Sequence, residues 1–113
     1  MKNLFLKMIE MYNLDPSGIN QKSFYGKAKI VKYENEDLYL TCLYSYDALI
    51  AVIDNDCNLH LTEKFNASIT TAKHLRSFLN RYNLGSLEFK DLKEICKSSN
   101  EQINKFVNLG IKR

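Results

Sequence analysis

The apolar residues of this chain change their spacing part-way along it, and this change constrains the fold more than any other feature. Over residues 24–46 most of them alternate with polar residues, which is the period of a strand that buries one face. From residue 71 onward they recur every three to four residues, which is the period of an amphipathic helix. The sequence therefore predicts an α+β domain in which a sheet is followed by helices.

The sheet is predicted to be a four-stranded antiparallel meander. Its strands are expected over residues 24–33, 38–46, 49–53 and 59–65, separated by polar segments with good turn composition. The connections are short, and short connections between successive strands favour antiparallel pairing.

Helices are predicted on both sides of the meander in the sequence. An apolar stripe at helical spacing indicates a first helix over residues 3–13. A second helix is expected over residues 71–83, and a third begins after a Ser86 cap. Ser99 is followed three residues later by Gln102, the pattern of a capping box, which predicts a separate last helix. The three C-terminal helices are expected to pack on one face of the sheet.

The length and composition limit the class of protein. With 113 residues, the chain is expected to form one domain over residues 1–113. It contains no apolar run that could span a membrane, and Lys7 interrupts the apolar stretch that a signal peptide would need. Its three cysteines are an odd number at wide spacing, which agrees with a reducing compartment. We therefore expect a cytoplasmic protein.

The charges are segregated along the chain, although the net charge is only +3. Residues 23–33 carry three lysines and no acid, and residues 64–83 carry four cations and no acid. Between them, residues 34–63 carry seven carboxylates and no Lys or Arg. A surface divided in this way favours an interaction role over catalysis.

Two groups of residues are candidates for contacting a partner. The predicted helix over residues 71–83 has a cationic polar surface, which would attract a phosphate backbone or an acidic protein patch. The outward face of the first predicted strand mixes aromatic and cationic side chains, as nucleic-acid-binding sheets do. The alternative for both groups is an ordinary solvated surface. The residues are Lys73, His74, Arg76, Asn80 and Arg81 on the helix, and Tyr25, Lys27 and Lys29 on the strand.

No motif for catalysis or for a cofactor is present in the sequence. The chain lacks a phosphate-binding glycine loop, a nucleophile elbow and the two-histidine motif of zinc proteases. Cys57 and His60 have a spacing that occurs in zinc sites, but in a continuous strand they would point to opposite faces. We therefore predict a non-enzymatic protein without catalytic residues, metal or cofactor.

Three stretches of the chain match a known pattern in order and spacing. They are Lys22-Ser23-Phe24-Tyr25-Gly26-Lys27-Ala28, Leu43-Tyr44-Ser45-Tyr46-Asp47, and Ser68-Ile69-Thr70-Thr71-Ala72-Lys73-His74-Leu75 with Phe78-Leu79. With them the chain resembles a family of small uncharacterised domains encoded by phages, plasmids and other mobile elements of low-GC bacteria. The resemblance covers residues 22–85 and leaves residues 86–113 as a helical extension. It implies a mobile-element setting and no particular activity.

These observations together lead to a functional hypothesis. We expect an accessory protein that acts in the cytoplasm of a host cell, where it binds and inhibits a host macromolecule. An anti-defence inhibitor of the anti-CRISPR type is the typical case, and the partner is then a host protein or a protein–nucleic acid complex. The alternative is a small nucleic-acid-binding protein that uses residues 71–83 and the Tyr/Lys strand face. No membrane partner is expected.

Overall fold

The fold is that of a computed structural model, which describes residues 4–14 and 26–113. Its strands are β1 (Lys7–Asn13), β2 (Ala28–Glu34), β3 (Tyr39–Ser45), β4 (Ala48–Ile53) and β5 (Leu59–Leu61), and its helices are α1 (Ile69–Arg81) and α2 (Phe89–Asn108). The strands form one antiparallel sheet in which each strand pairs with the next one in the chain. The sheet is therefore a meander with β1 and β5 at its two edges.

The first element is a strand and not the helix that we predicted over residues 3–13. β1 pairs with β2, and a β-bulge after Met8 shifts the register between them. As a result, Met8 and Met11 lie opposite Tyr33 and Val31 and face the same side of the sheet, although they are three residues apart. A spacing of three is also a helical spacing, so the bulge gives this strand the apolar pattern of a helix. The sheet has five strands instead of four because β1 is added to it.

A single helix replaces the last two helices that we predicted. α2 is continuous over 20 residues, and Ser99 is buried inside it instead of opening a new helix. The Ser99 hydroxyl oxygen accepts a hydrogen bond from the Leu61 amide of β5, with 3.0 Å between the two atoms. The residue that caps α2 is Glu88 and not Ser86 as we predicted, and the Glu88 amide donates to the Asp91 carboxylate at 2.9 Å. No helix in the described part of the chain is both long and apolar enough to cross a membrane.

The helices cover both faces of the sheet, and not one face as we predicted. On β2, Ala28 and Ile30 point to the side that α1 covers, here termed the α1 face. Val31 and Tyr33 point to the opposite side, termed the far face, where Phe106 of α2 joins the same core. α2 is about 30 Å long and runs along the β5 edge. Its first half therefore packs on the α1 face and its second half on the far face.

The two ends of the described chain meet on the far face. The Leu6 amide donates to the Leu109 carbonyl at 2.7 Å, and Leu6 and Ile111 are buried in the same core. Gly110 has a φ of +124°, a backbone conformation that favours glycine. A Cβ atom at Gly110 would also lie 3.2 Å from the Leu6 carbonyl oxygen. This contact between the segment before β1 and the segment after α2 therefore depends on a residue without a side chain.

Candidate interaction surfaces

The cationic helix that we predicted over residues 71–83 is present as α1, but its cations are not equally available. Lys73 is exposed to solvent. Arg76 is half-buried, and its guanidinium donates to the carbonyl oxygens of Gly85 and Leu87 at 3.2 and 2.9 Å. Arg76 therefore holds the loop between α1 and α2, and only part of its charge faces a possible partner.

Arg81 belongs to a cluster of cations and tyrosines beside β1. Its guanidinium carbon lies 5.2 Å from the centre of the Tyr12 ring, and the Lys32 ammonium lies 5.7 Å from the same centre. The hydroxyls of Tyr12 and Tyr82 are 3.2 Å apart. Burial, helped by this hydrogen bond, raises the pKa of Tyr82 to about 12, so its phenol stays protonated at neutral pH. Asn80 precedes Arg81 in the chain and is exposed.

His74 does not belong to the polar surface to which we assigned it, because it is fully buried. Its Nδ1 atom lies 2.8 Å from the Ser45 hydroxyl of β3, and that hydroxyl lies 3.0 Å from the Thr71 hydroxyl. Ser68 caps α1 and donates to the Thr71 hydroxyl at 3.2 Å, so four side chains connect α1 to β3. A serine beside a histidine is a pair that nucleophilic catalysis uses, but Ser45 is buried as well and cannot meet a substrate.

The Tyr/Lys strand face that we predicted is divided. Tyr25 lies outside the described residues. The Lys27 ammonium lies 5.9 Å from the centre of the Tyr46 ring, at the turn between β3 and β4. The Lys29 ammonium lies 3.8 Å from the Asp47 carboxylate and belongs to the far face, away from α1. Lys29 is therefore separated from the α1 cations, whereas Lys27 lies beside Tyr46, whose ring centre is 5.8 Å from that of His74 on α1.

Carboxylates gather at one end of the sheet, where the β2–β3 turn meets the β4–β5 turn. Asn55 joins the two turns, because its side-chain amide donates to the Asp37 carbonyl and accepts from the Tyr39 amide, each at 2.9 Å. Five of the seven carboxylates of the acidic block are thereby folded into one acidic end, whereas Asp47 lies in the β3–β4 turn and Glu63 follows β5. The carboxylates of the acidic end are those of Glu34, Glu36, Asp37, Asp54 and Asp56.

One of these carboxylates is hydrogen-bonded to a histidine. The Nε2 atom of His60 lies 2.8 Å from the Asp54 carboxylate. Burial alone would raise the pKa of Asp54, but hydrogen bonds from His60 and from the amides of Asn58 and Asp56 outweigh it and lower the pKa. Cys57 is exposed in the turn, with a φ of +63°. Within the described ranges, no three His, Cys, Asp or Glu side chains converge on a possible metal position.

The start of the described chain exposes a group of large apolar side chains. They lie on β1 or just before it, at the edge of the sheet. Single apolar side chains are normal on a protein surface, but a contiguous group marks an interaction site or a strand that aggregates. We term this group the apolar edge. It comprises Leu4, Phe5, Met8, Ile9 and Met11, whose exposed fractions are 49%, 67%, 57%, 46% and 56%.

A cleft of about 220 Å³ opens on the far face beside the apolar edge. Tyr33 and Tyr44 line it, and their hydroxyls are 3.1 Å apart. The Tyr44 hydroxyl donates to the Lys112 carbonyl, so Tyr33 is the donor to Tyr44. Burial raises the pKa of Tyr44, which keeps the Tyr44 phenol neutral. We term this feature the methionine cleft. It is lined mainly by Met8, Met11, Val31, Tyr33, Tyr44 and Lys112.

Neither the apolar edge nor the methionine cleft is predicted by our sequence analysis. The helix expected over residues 3–13 would have placed the same apolar side chains in the core. The polar residues Lys7 and Glu10 are three positions apart, as the apolar residues Met8 and Met11 are. Both sets therefore have the spacing of a helix. No local signal therefore distinguishes the bulged strand from a helix.

Comparison with known proteins places the chain in a family. No curated protein and no solved structure matches it. A family of unknown function, DUF8033, matches residues 12–97, which include β2 to β5, α1 and the first half of α2. This confirms the resemblance to an uncharacterised family of small domains, while the mobile-element origin stays a prediction. Because the match covers more than half of the sequence, the chain belongs to DUF8033.

Proposed function

We propose that the protein is a non-enzymatic accessory protein of a phage or another mobile element, and that it binds and inhibits a host protein. The observation that carries this proposal is the apolar edge. Five half-exposed side chains, at about 100 Å² each, together present about 500 Å² of apolar surface along and just before one edge strand. A partner that covers this surface would gain hydrophobic free energy without rearranging the core.

The arrangement of polar groups supports binding more than catalysis. In the described chain, the Ser45–His74 pair is buried, and Lys29 is paired with Asp47. The one tyrosine pair in the methionine cleft is engaged in hydrogen bonds. An active site needs titratable groups that converge where a substrate can reach them. Among residues 4–14 and 26–113, the accessible groups do not have that arrangement.

A capture experiment with matched variants tests the proposal. The tagged protein is incubated with extract of a low-GC bacterium, and the recovered proteins are quantified. We expect a stoichiometric partner that Met8→Lys combined with Ile9→Lys loses, because two charges in the apolar edge oppose its burial. Ile69→Lys is the control, since Ile69 is 80% exposed on α1, away from the edge. Equal recovery by all three proteins, or no stoichiometric partner, would contradict the proposal.

Inhibition is tested separately in living cells. The protein is expressed in a bacterium with an active defence system, and plaques of a targeted phage are counted. We expect the wild-type protein and Ile69→Lys to restore plaques, and the double variant to restore none. Restoration by the double variant would show that the apolar edge is not the inhibitory surface.

Nucleic-acid binding is the second candidate, favoured by the cluster of Lys32 and Arg81 around Tyr12. Aromatic rings beside cations can stack bases while the cations meet phosphates. Binding should weaken linearly on a log–log plot against salt, and it should fall when Arg81→Glu is combined with Lys73→Glu. Arg76 is left unchanged because its hydrogen bonds hold a loop. Absence of any probe shift at low salt would remove this candidate.

A further inference from the structure

The methionine cleft lies on the far face over β2 and β3, inside the edge that β1 forms. Val31 and Tyr33 of β2 and Tyr44 of β3 lie at its floor, and Met8 and Met11 of β1 form a wall beside them. The two tyrosine hydroxyls are bonded to each other, so the floor offers mainly apolar contact. A ligand in the cleft would therefore be recognised in part by an apolar group.

The volume of the cleft limits the size of such a ligand. About 220 Å³ is below the roughly 300 Å³ at which ordinary small-molecule pockets begin. A cavity of about 150 Å³ is nevertheless large enough for benzene. The cleft therefore has room for one aromatic ring or branched aliphatic group together with a few polar atoms. Methionine side chains are flexible and polarizable, so the wall formed by Met8 and Met11 can adjust to either kind of group.

Charges of both signs line the cleft. Lys29 and Lys112 carry ammonium groups, and Asp47, in the turn between β3 and β4, carries a carboxylate. The Lys29 ammonium and the Asp47 carboxylate are 3.8 Å apart, which is close enough for an ion pair but too long for a hydrogen bond. These two groups do not use their hydrogen-bonding positions on each other, so both can bond to a third group between or above them.

A zwitterion matches this arrangement better than a simple anion or cation does. An α-amino acid carries its ammonium and carboxylate groups on one carbon atom, so it can meet Asp47 and Lys29 at the same time. Lys112 adds a second ammonium group toward the carboxylate. A simple anion would be attracted by the two lysines but repelled by Asp47, and a simple cation would meet the reverse.

We propose that the methionine cleft binds one free apolar α-amino acid. Its side chain packs against Val31 and the wall of methionines, and its ammonium group faces Asp47. Its carboxylate faces Lys29 and Lys112. This site does not depend on the proposed function, because an amino acid can fill the cleft in the absence of any partner protein.

Titration with L-phenylalanine tests the site on the purified protein. The methionine methyl groups are labelled with ¹³C, and we expect the NMR signals of Met8 and Met11 to shift until the site is saturated. N-acetyl-L-phenylalanine lacks the ammonium group and 2-phenylethylamine lacks the carboxylate, so each should bind at least about tenfold more weakly. Glycine lacks the apolar side chain and should also bind at least about tenfold more weakly.

Asp47→Asn removes the charge that distinguishes an amino acid from a simple anion. Asp47 has a φ of +66°, a left-handed conformation that Asn also adopts readily, so the turn is preserved. We expect this variant to bind L-phenylalanine at least about tenfold more weakly, without any loss of affinity for N-acetyl-L-phenylalanine. Asp56→Asn is the matched control and should bind as the wild type does, since Asp56 is exposed in a different turn.

Three results would overturn the proposal. They are no shift of the Met8 and Met11 signals up to about 10 mM L-phenylalanine, which fills even a millimolar site, equal affinity for the N-acetyl compound, or unchanged affinity in Asp47→Asn. If the capture experiment succeeds while one of these results is found, the proposed function stands and the amino-acid site is wrong. If the titration succeeds while the capture fails, the amino-acid site stands alone.

Discussion

The smallest feature with a large expected effect is the buried hydroxyl of Ser45. It lies between the Thr71 hydroxyl and the Nδ1 atom of His74, and it is the link by which two side chains of α1 bond to β3. A buried polar group that loses its partner keeps its full desolvation penalty. Ser45 therefore contributes to stability by satisfying groups on its neighbours.

Replacing Ser45 tests this role. We expect Ser45→Ala to lower the free energy of unfolding by about 1–3 kcal/mol, because hydrogen-bonding capacity on Thr71 and His74 is left unmet. The measurement is urea unfolding followed by circular dichroism. Ser86→Ala is the control, since Ser86 is exposed and does not cap α2. A loss below about 0.5 kcal/mol, the range of ordinary surface substitutions, would show that water or another group replaces the hydroxyl.

Asp54 is expected to make the free energy of unfolding depend on pH in the acidic range. Its pKa is lower in the folded protein than the ordinary value of 3.8. The carboxylate form is therefore stabilised by folding, and this contribution is fully present above that ordinary value. It is lost as the pH falls through the folded pKa. We expect Asp54→Asn to flatten the dependence of unfolding free energy on pH in this acidic range.

Acid titration of stability with two variants measures this effect. Unfolding free energies are determined from pH 7 downward for the wild type, Asp54→Asn and Asp56→Asn. Asp56 is an exposed carboxylate of the same turn, so its variant controls for the change in total charge. Identical pH profiles for Asp54→Asn and the wild type would mean that the bond to His60 does not stabilise the folded state.

At the scale of whole elements, α2 contacts the β5 edge of the sheet through the middle of its length. Ser99 lies at the point where the helix passes β5, and its side chain accepts the Leu61 amide. We expect Ser99→Ala to speed hydrogen exchange of the Leu61 amide and to cost about 1–3 kcal/mol of stability, because a buried donor is left without a partner. Ser98→Ala is the control, since Ser98 is exposed on the same helix. Unchanged exchange at Leu61 would show that the edge is protected by packing alone.

A comparison of the predicted and observed helices and strands shows how much of this fold the sequence predicts. The alternation over β2 and β3 and the helical stripe of α1 are local patterns, and the elements there lie close to the predicted ranges. β1 was missed because its bulge reproduces a helical spacing. The sequence predicts a break in α2 because Ser99 begins a capping-box pattern. In the structure the Ser99 hydroxyl instead accepts a hydrogen bond from the Leu61 amide next to it in space, 38 residues away in the chain. Both errors come from tertiary contacts that no local pattern contains.

The candidate site was even less predictable than the fold. A sequence shows which residues carry a positive charge, and the prediction of Lys73, Arg76 and Arg81 as contact residues rests on that charge. The structure shows that Arg76 bonds to a loop and that His74 is buried. The apolar edge depends on exposure, and exposure is a property of the assembled sheet. It could not be predicted before the strand order was established.

On the scale of the whole molecule, the two ends of the described chain stabilise each other. Gly110→Ala places a methyl group 3.2 Å from the Leu6 carbonyl oxygen at a φ of +124°. We expect it to lower the free energy of unfolding by more than about 1 kcal/mol. Gly26→Ala is the matched control, because Gly26 also has a positive φ but nothing lies within 4 Å of its added Cβ.

Thermal unfolding compares the two glycine variants. The loss in Gly26→Ala measures the strain of a side chain in the left-handed region, and the excess in Gly110→Ala measures the greater backbone strain at a φ of +124° together with the crowding against Leu6. Equal losses would indicate that the segment before β1 moves away from Gly110 without cost.

The contact of α2 with β5 covers one edge of the sheet. A sheet with two open edges can extend from both, and identical copies can then join into filaments without an end. The family match stops at residue 97, just before Ser99. A chain cut there would lose the Ser99 hydroxyl that accepts the Leu61 amide, and we expect the β5 edge then to become available to a further strand. We therefore expect the last turns of α2 to keep the β5 edge closed to a further strand.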